Sequence, residues 1–493
     1  MGGLLLAGHG AATCAPLGDE SAAVEGPRRL NVLLLAVDDL RPELGCYGTS
    51  LVRTPQIDRF AQSATVFERA YCQFPLCAPS RASFLTGTRP DTTRVQDLYS
   101  DFRVSLPRLE SMPQNFKNRG YFTDRFGKIF HIDDVASWTP TRPLEQFGPA
   151  EPAKRAPYAN PALNAAGWKK FDAAKAAGLT GMALERSQRG PALEITDLAD
   201  DALPDGKIAA EAIAALQRLR RENQPFFLAV GFLKPHLPFV APRKYWDLYD
   251  ESKITLPANR VRVASPVVLG DGVEFYTYTD VPGERPVPDD YARQAAHGYL
   301  ACVSFVDAQI GRVLDELDRL GLTDDTIVVL WGDHGFKLGE HGGWGKLTNF
   351  EVDARVPLII RAPGKGQGRR VRALVEAVDV FPTLLELTHG ALPAQLEGSS
   401  LVPLLDNAER TWKTAAFTQC RRDGEDWSGQ SIRTDQYRLT RWSRPGEMDS
   451  IELYDHNVDP DENNNLADLP ANTELRRRLL TQLAAGWTAA RPK

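Results

Sequence analysis

Four short apolar runs in this chain end abruptly in charged or imidazole-bearing residues, and no other feature constrains the fold as much. Residues 31–37 (NVLLLAV) run into Asp38-Asp39, and 225–232 (PFFLAVGF) into Lys234 and His236. Residues 326–331 (TIVVLW) run into Gly332-Asp333-His334, and 357–360 into Arg361. Aliphatic and β-branched runs with no polar face suit strands buried on both sides. They predict an α/β fold, a large and mostly parallel sheet sandwiched by helices. Ligands of such sheets bind beyond the carboxyl ends of the strands. Three separate strands therefore deliver Asp, His and Lys to one edge.

Helices fill the intervals. Residues 206–223 are rich in Ala, Leu and Arg, and 290–320 carry Leu300, Val303, Val306, Ile310, Val313, Leu314 and Leu317 at helical spacing before Gly321 stops them. His297 in the second helix reads as a packed or solvated residue, not a ligand. Residues 136–203 and 261–288 are weakly periodic, the first rich in Pro, Ala and Gly with Trp138 and Trp168. They read as long excursions over the functional edge that shape substrate choice. Beyond residue 405 come strand-like pieces at 415–420, 430–434 and 437–442, then a helix at 472–489. These predict a small antiparallel sheet with a helix. The chain thus divides into a leader or signal-peptide remnant (1–28), a main domain (29–405) and a C-terminal α+β subdomain (406–493). The acidic, Asn-rich stretch 459–465 lacks the Gly and late Glu of an EF-hand and reads as a solvated turn.

Charge narrows the partners. With 58 basic against 64 acidic residues the net charge is -6, so no global field draws nucleic acid or an anionic membrane. An anionic substrate must be held by local cations or by a metal. No apolar run approaches the roughly 20 residues of a membrane span. The first 18 residues mix Gly, Leu and Ala as a signal peptide does, without its positive start, and point to a periplasmic or secreted protein. Six cysteines in 493 residues make no disulfide framework. Cys14 lies in the leader, while Cys46, Cys72, Cys302 and Cys420 read as small buried hydrophobes.

The chemistry gathers at the strand ends. Asp38, Asp39 and Asp333 at one sheet edge repel each other unless a cation sits among them, and a hard divalent ion answers that need. In Cys77-Ala78-Pro79-Ser80-Arg81, followed by Leu85-Thr86-Gly87, Pro79 fits the first turn of a helix and Gly87 its end. Cys77 then lies just before a helix N-terminus, where orphan N–H groups favour anions, and Arg81 sits one turn on. Such a cysteine is an activated thiol or a core residue, and spacing alone does not separate the two.

That segment resembles the signature of the type I, formylglycine-dependent sulfatases of the alkaline phosphatase superfamily. Further segments resemble the iduronate-2-sulfatase branch and its bacterial relatives: 37–45, 89–94, Gly127-Lys128-Ile129-Phe130-His131, 234–239, Gly332-Asp333-His334-Gly335, and Gly339-Glu340-His341-Gly342 through Lys346. The resemblance implies that a formylglycine-generating enzyme oxidises Cys77 to formylglycine. It makes Asp38, Asp39, Asp333 and His334 metal ligands, together with the oxidised Cys77. It points to calcium, although a nitrogen ligand leaves manganese or zinc open on chemical grounds. One hydroxyl of the aldehyde hydrate then attacks sulfur, while Arg81, Lys128 and Lys346 hold the sulfonyl oxygens. His236 or Lys346 protonates the leaving alcohol, and His131 takes the proton of the second hydroxyl as sulfate leaves. The expected substrate is a sulfated carbohydrate, such as a 2-O-sulfated uronate unit. Lys234 is expected to pair with the sugar carboxylate, and His341, Trp344, Arg94 and Tyr99 to line the pocket. Two other readings keep the fold: a phosphomonoester or phosphonate monoester hydrolase, and a non-catalytic carbohydrate-binding protein whose Cys77 is never oxidised.

Overall fold

The computed structural model describes residues 1–3, 29–140, 157–261, 274–422 and 426–492. Residues 4–28 of the leader, with Cys14, and residues 141–156 and 262–273 of the two excursions lie outside the described residues.

The strand Asn31–Val37 is fully buried and pairs in parallel with Phe226–Phe232 on one side and Thr326–Gly332 on the other. Phe122–Gly127 adds in parallel beyond Phe226–Phe232. On the other flank follow Arg355–Arg361, Thr65–Tyr71 and Arg369–Glu376, which complete a seven-stranded sheet. Side-chain alternation explains the unbroken apolar runs. Leu33, Leu35 and Val37 face the helices Pro204–Glu222 and Asp289–Arg319. Val32, Leu34 and Ala36 face Phe84, Phe116, Phe381 and Leu384 of the opposite helical layer. Full burial of each large side chain contributes about 1.5–3 kcal/mol. The long helix ends as expected: Gly321 is left-handed (φ 64°), and the Leu322 amide donates to the Leu317 carbonyl at 3.1 Å. His297 is packed, with Nε2 2.8 Å from the Trp246 carbonyl.

One strand runs against the rest. Arg355–Arg361 is antiparallel to both neighbours. No crossover helix separates it from Thr326–Gly332, so the chain re-enters from the edge where that strand ended. Arg361 consequently lies at the opposite edge and contributes nothing to the ligand end.

The first excursion departs from expectation, because it contains the helices Pro161–Ala176 and Gly181–Ser187 and a short strand, Leu193–Thr196, paired with Phe239–Pro242. The longer helix buries only Gly167, so it needs no apolar stripe and left no periodic signal. Cys72, Cys302 and Cys420 are buried and unbridged, but Cys46 is only half-buried, at the turn Gly45–Tyr47.

The C-terminal sheet has four strands, Ala416–Arg422, Trp427–Arg433, Tyr437–Ser443 and Ser450–Asp455, packed against the helix Thr473–Ala489. The fourth strand was not among the expected pieces, since its apolar and acidic residues alternate weakly. A buried ion cluster ties this sheet to the main domain. Arg438 donates from Nε to Glu462 at 2.6 Å and from Nη2 to Glu351 at 2.6 Å. The expected solvated turn therefore holds one inward residue: Asp461 is exposed and Asp459 half-buried, but Glu462 is buried against Arg438 and His456. An arginine inside the sheet requires a counter-charge, and Glu462 supplies it.

Candidate active site

The predicted residues converge at the carboxyl edge. Asp38 and Asp39 follow Asn31–Val37, Asp333 and His334 follow Thr326–Gly332, and Lys128 follows Phe122–Gly127. Cys77 opens the buried helix Cys77–Thr86, with Leu76 as its cap. It is thus the first helical residue and not the one before. Its Sγ lies 3.4 Å from Asp38 Oδ1, 3.2 Å from His334 Nε2 and 3.4 Å from Lys346 Nζ. Burial and the neighbouring Asp38 push the thiol well above its ordinary value. These surroundings disfavour an unmodified thiolate as the nucleophile.

One donor atom each from Asp38, Cys77, Asp333 and His334 lies within 4.8 Å of the others. Asp39 approaches through Oδ1, 3.4 Å from His334 Nε2. Its left-handed backbone (φ 63°) lets its amide donate to Asp333 Oδ1 at 3.0 Å. Asp39 Oδ2 is buried with no hydrogen-bond partner among the described residues. His334 Nδ1 faces the Gly335 carbonyl at 3.0 Å, which directs Nε2 into the cluster. Three carboxylates, one of them with an orphaned oxygen, and an aimed imidazole fit a divalent cation.

Arg81 has a different place from the one expected. It is completely buried and donates to Asp333 Oδ2 at 2.8 Å, to the Lys128 and Ile129 carbonyls at 2.6 and 2.9 Å, and to Asp38 Oδ1 at 3.3 Å. It holds the acidic side chains from beneath and does not face the cavity. Lys128, 2.6 Å from Asp38 Oδ2, and Lys346, 2.6 Å from Asp39 Oδ1, do line it beside the acidic cluster. Burial works against both ammonium charges, yet the adjoining aspartates hold both above the usual lysine range. In turn Lys128, followed by His236, Arg81 and Lys346, outweighs burial and holds Asp38 well below the carboxylate range.

These groups open on a cavity of about 500 Å³ lined also by His131, His236, Trp168, Phe171 and Met182, so the first excursion does cover the site. His236 Nδ1 sits 2.7 Å from the Leu237 carbonyl, leaving Nε2 toward Asp39 Oδ2 (3.9 Å) and Glu274 Oε1 (3.7 Å). Glu274 escaped the sequence reading because it sits in the aperiodic second excursion. Burial opposes its charge, but His236, Lys346 and Arg189 hold its carboxyl down at about 2.

Several expected pocket residues lie elsewhere. Lys234 borders the cavity, but its ammonium donates to the His236 and Pro238 carbonyls at 2.9 and 2.6 Å and so braces its own loop. His341 stacks on Phe350, with centroids 4.2 Å apart, and lines a separate cavity. Trp344 is buried in the core, stacked 4.5 Å from Phe275. Arg94 is exposed at the end of the short helix Pro90–Thr93, and Tyr99 is half-exposed. Being near the motifs in sequence did not place these four at the cavity.

Comparisons with known proteins identify the family. The sulfatase family profile matches residues 30–391, and that of the N-sulphoglucosamine sulphohydrolase C-terminal region matches 339–488. Human iduronate 2-sulfatase is 34% identical, over 90% of this chain and 94% of its own length. A protein solved with its substrate D-glucosamine-2-N,6-O-disulfate has a TM-score of 0.72 at 23% identity, covering 93% of this chain and 97% of that one. The phosphonate monoester hydrolase of Silicibacter pomeroyi has a TM-score of 0.73 at 23% identity, covering 94% and 96%. With a matching profile over most of its length and the signature cysteine among acidic strand ends, the chain belongs to the sulfatase family.

Proposed function

We propose that this sulfatase hydrolyses a sulfate monoester on an acidic sugar, a 2-O-sulfated uronate or related polysaccharide unit. In this reading Cys77 works in its formylglycine form, and Asp38, Asp39, Asp333 and His334 hold a calcium ion. The observation that carries it is Cys77 itself, at a helix start within 3.4 Å of Asp38, His334 and Lys346 on the wall of a cationic cavity. The likeness to iduronate 2-sulfatase supports the uronate.

In its formylglycine form Cys77 would present two geminal hydroxyls, one suited to attack sulfur and one through which sulfate could leave. The cation, when bound, supplies positive charge against the sulfate oxygens and lowers the cost of an ionised hydroxyl. Lys128 and Lys346 present ammonium groups to the other sulfonyl oxygens. His236 is better placed than Lys346 to protonate the departing alcohol. Lys346 is held by Asp39, whereas His236 keeps Nε2 toward the cavity and fixes its ring through Nδ1. His131, on the cavity wall, takes the proton from the second hydroxyl.

His236→Asn is expected to lower kcat on a sulfated sugar by about 10²–10⁴-fold. The loss should be far smaller on 4-nitrophenyl sulfate, whose phenolate leaves without a proton. Equal losses on both substrates would remove His236 as the acid. Stripping calcium with a chelator should cut turnover by about 100-fold or more, as befits several kcal/mol of charge stabilisation. Calcium should restore it where zinc and manganese do not. Full activity in metal-free protein, checked by elemental analysis, would refute the ion. The reaction class is tested by comparing kcat/KM on sulfate, phosphate and phosphonate monoesters. Faster turnover of either phosphorus ester would reverse the assignment.

A further inference from the structure

Glu274 is a carboxylate set among groups that otherwise suit an anion. Arg189 fixes it, donating from Nη2 to Glu274 Oε1 at 3.2 Å and from Nη1 to the Glu274 carbonyl at 3.0 Å. No donor among the described residues hydrogen-bonds Oε2, which lies 3.8 Å from Lys346 Nζ. The side chain keeps 29% of its surface exposed, on the lining of the cavity. The same Lys346 ammonium is 3.4 Å from Cys77 Sγ, so Glu274 and the nucleophile position flank one cation. An ester lying against Cys77 and Lys346 brings the sugar atoms beside the ester carbon toward Glu274. Ionised, this carboxylate repels a sulfate ester, and a donor on the substrate facing Oε2 offsets that repulsion.

We infer that Glu274 is a specificity-determining residue that accepts a hydrogen bond from a free hydroxyl on the ring carbon next to the sulfate ester. The inference rests on the sulfatase reading above and narrows its substrate class. Units bearing one sulfate beside an open hydroxyl are accepted. Units with a second anion at that neighbouring carbon are rejected, because like charges meet there. A substrate with no hydroxyl there leaves a desolvated acceptor unpaired, the circumstance in which polar sites discriminate strongly.

The test uses the mature, metal-loaded enzyme and three probes: a 2-O-sulfated uronate disaccharide with a free 3-hydroxyl, its 2,3-disulfated counterpart, and 4-nitrophenyl sulfate, which has no hydroxyl. Glu274→Ala should lower the ratio of kcat/KM on the monosulfated sugar to that on the aryl sulfate by about 10–100-fold, the loss of one charge-assisted hydrogen bond. Glu274→Gln retains an acceptor and should hold that ratio within about threefold, while the preference for mono- over disulfated sugar falls at least about tenfold. A ratio unchanged in Glu274→Ala, with both substrates losing activity in parallel, overturns the inference and leaves Glu274 as support for His236 and Lys346. An unchanged disulfate preference in Glu274→Gln overturns it too. Failure of the uronate reading shows differently, as a wild type that prefers a sulfated neutral sugar, and the same comparison then runs on that sugar.

Discussion

Cys77→Ala is expected to lower sulfate ester turnover by at least about four orders of magnitude, the scale of losing a covalent nucleophile. The fold should survive. Residue 77 is the first of a helix, alanine is the best helix former, and Asp38 and Lys346, which the thiol contacts, keep Lys128 and Asp39 as partners. Far-UV circular dichroism and the thermal midpoint should therefore match those of the wild type. Cys77→Ser separates the steps further. A serine hydroxyl can accept sulfate once, but it lacks the second geminal oxygen needed to expel it, so the serine variant should not turn over. Steady turnover by either variant would show that the nucleophile lies elsewhere.

Arg438→Ala should destabilise the protein by about 3–5 kcal/mol, the cost of leaving a buried counter-charge unpaired. Arg438 is 1% exposed and bonds both Glu462 and Glu351 at 2.6 Å. Arg433, at 3.3 Å from Glu351, offers only a longer contact, and His456 bonds Glu462 at 2.9 Å. Urea unfolding followed by tryptophan fluorescence would record the shift. The double variant Arg438→Met, Glu462→Gln removes the buried pair while Glu351 keeps Arg433 as its partner, and should lose much less. A single variant as stable as the wild type would mean that the cluster does not bind the C-terminal sheet to the main domain.

The sequence revealed the sheet because its strands are buried on both faces, so burial wrote itself as unbroken apolar runs at 31–37, 226–232 and 326–332. It revealed the acidic cluster because each ligand follows such a run directly. The reversal of Arg355–Arg361 was hidden, since strand direction depends on whether a crossover intervenes and an apolar run reads the same both ways. Arg81 was legible as an active-site residue but not as one facing inward, because its partners, the Lys128 and Ile129 carbonyls and the Asp333 and Asp38 carboxylates, are distant in sequence. Glu274 left no local signal, because its role comes from His236 and Lys346, distant in sequence. Trp344 and His341 show the converse: beside Lys346 in sequence, they point into the core and a second cavity.

The most direct measurement is the mass of the peptide spanning Cys77, taken from protein co-produced with a formylglycine-generating enzyme and set against the turnover of the same preparation. The aldehyde is lighter than the thiol by about 18 Da. Across preparations converted to different extents, kcat should rise in proportion to the lighter fraction and extrapolate to zero where none is present. Full turnover from protein whose Cys77 peptide keeps the thiol mass would contradict the account.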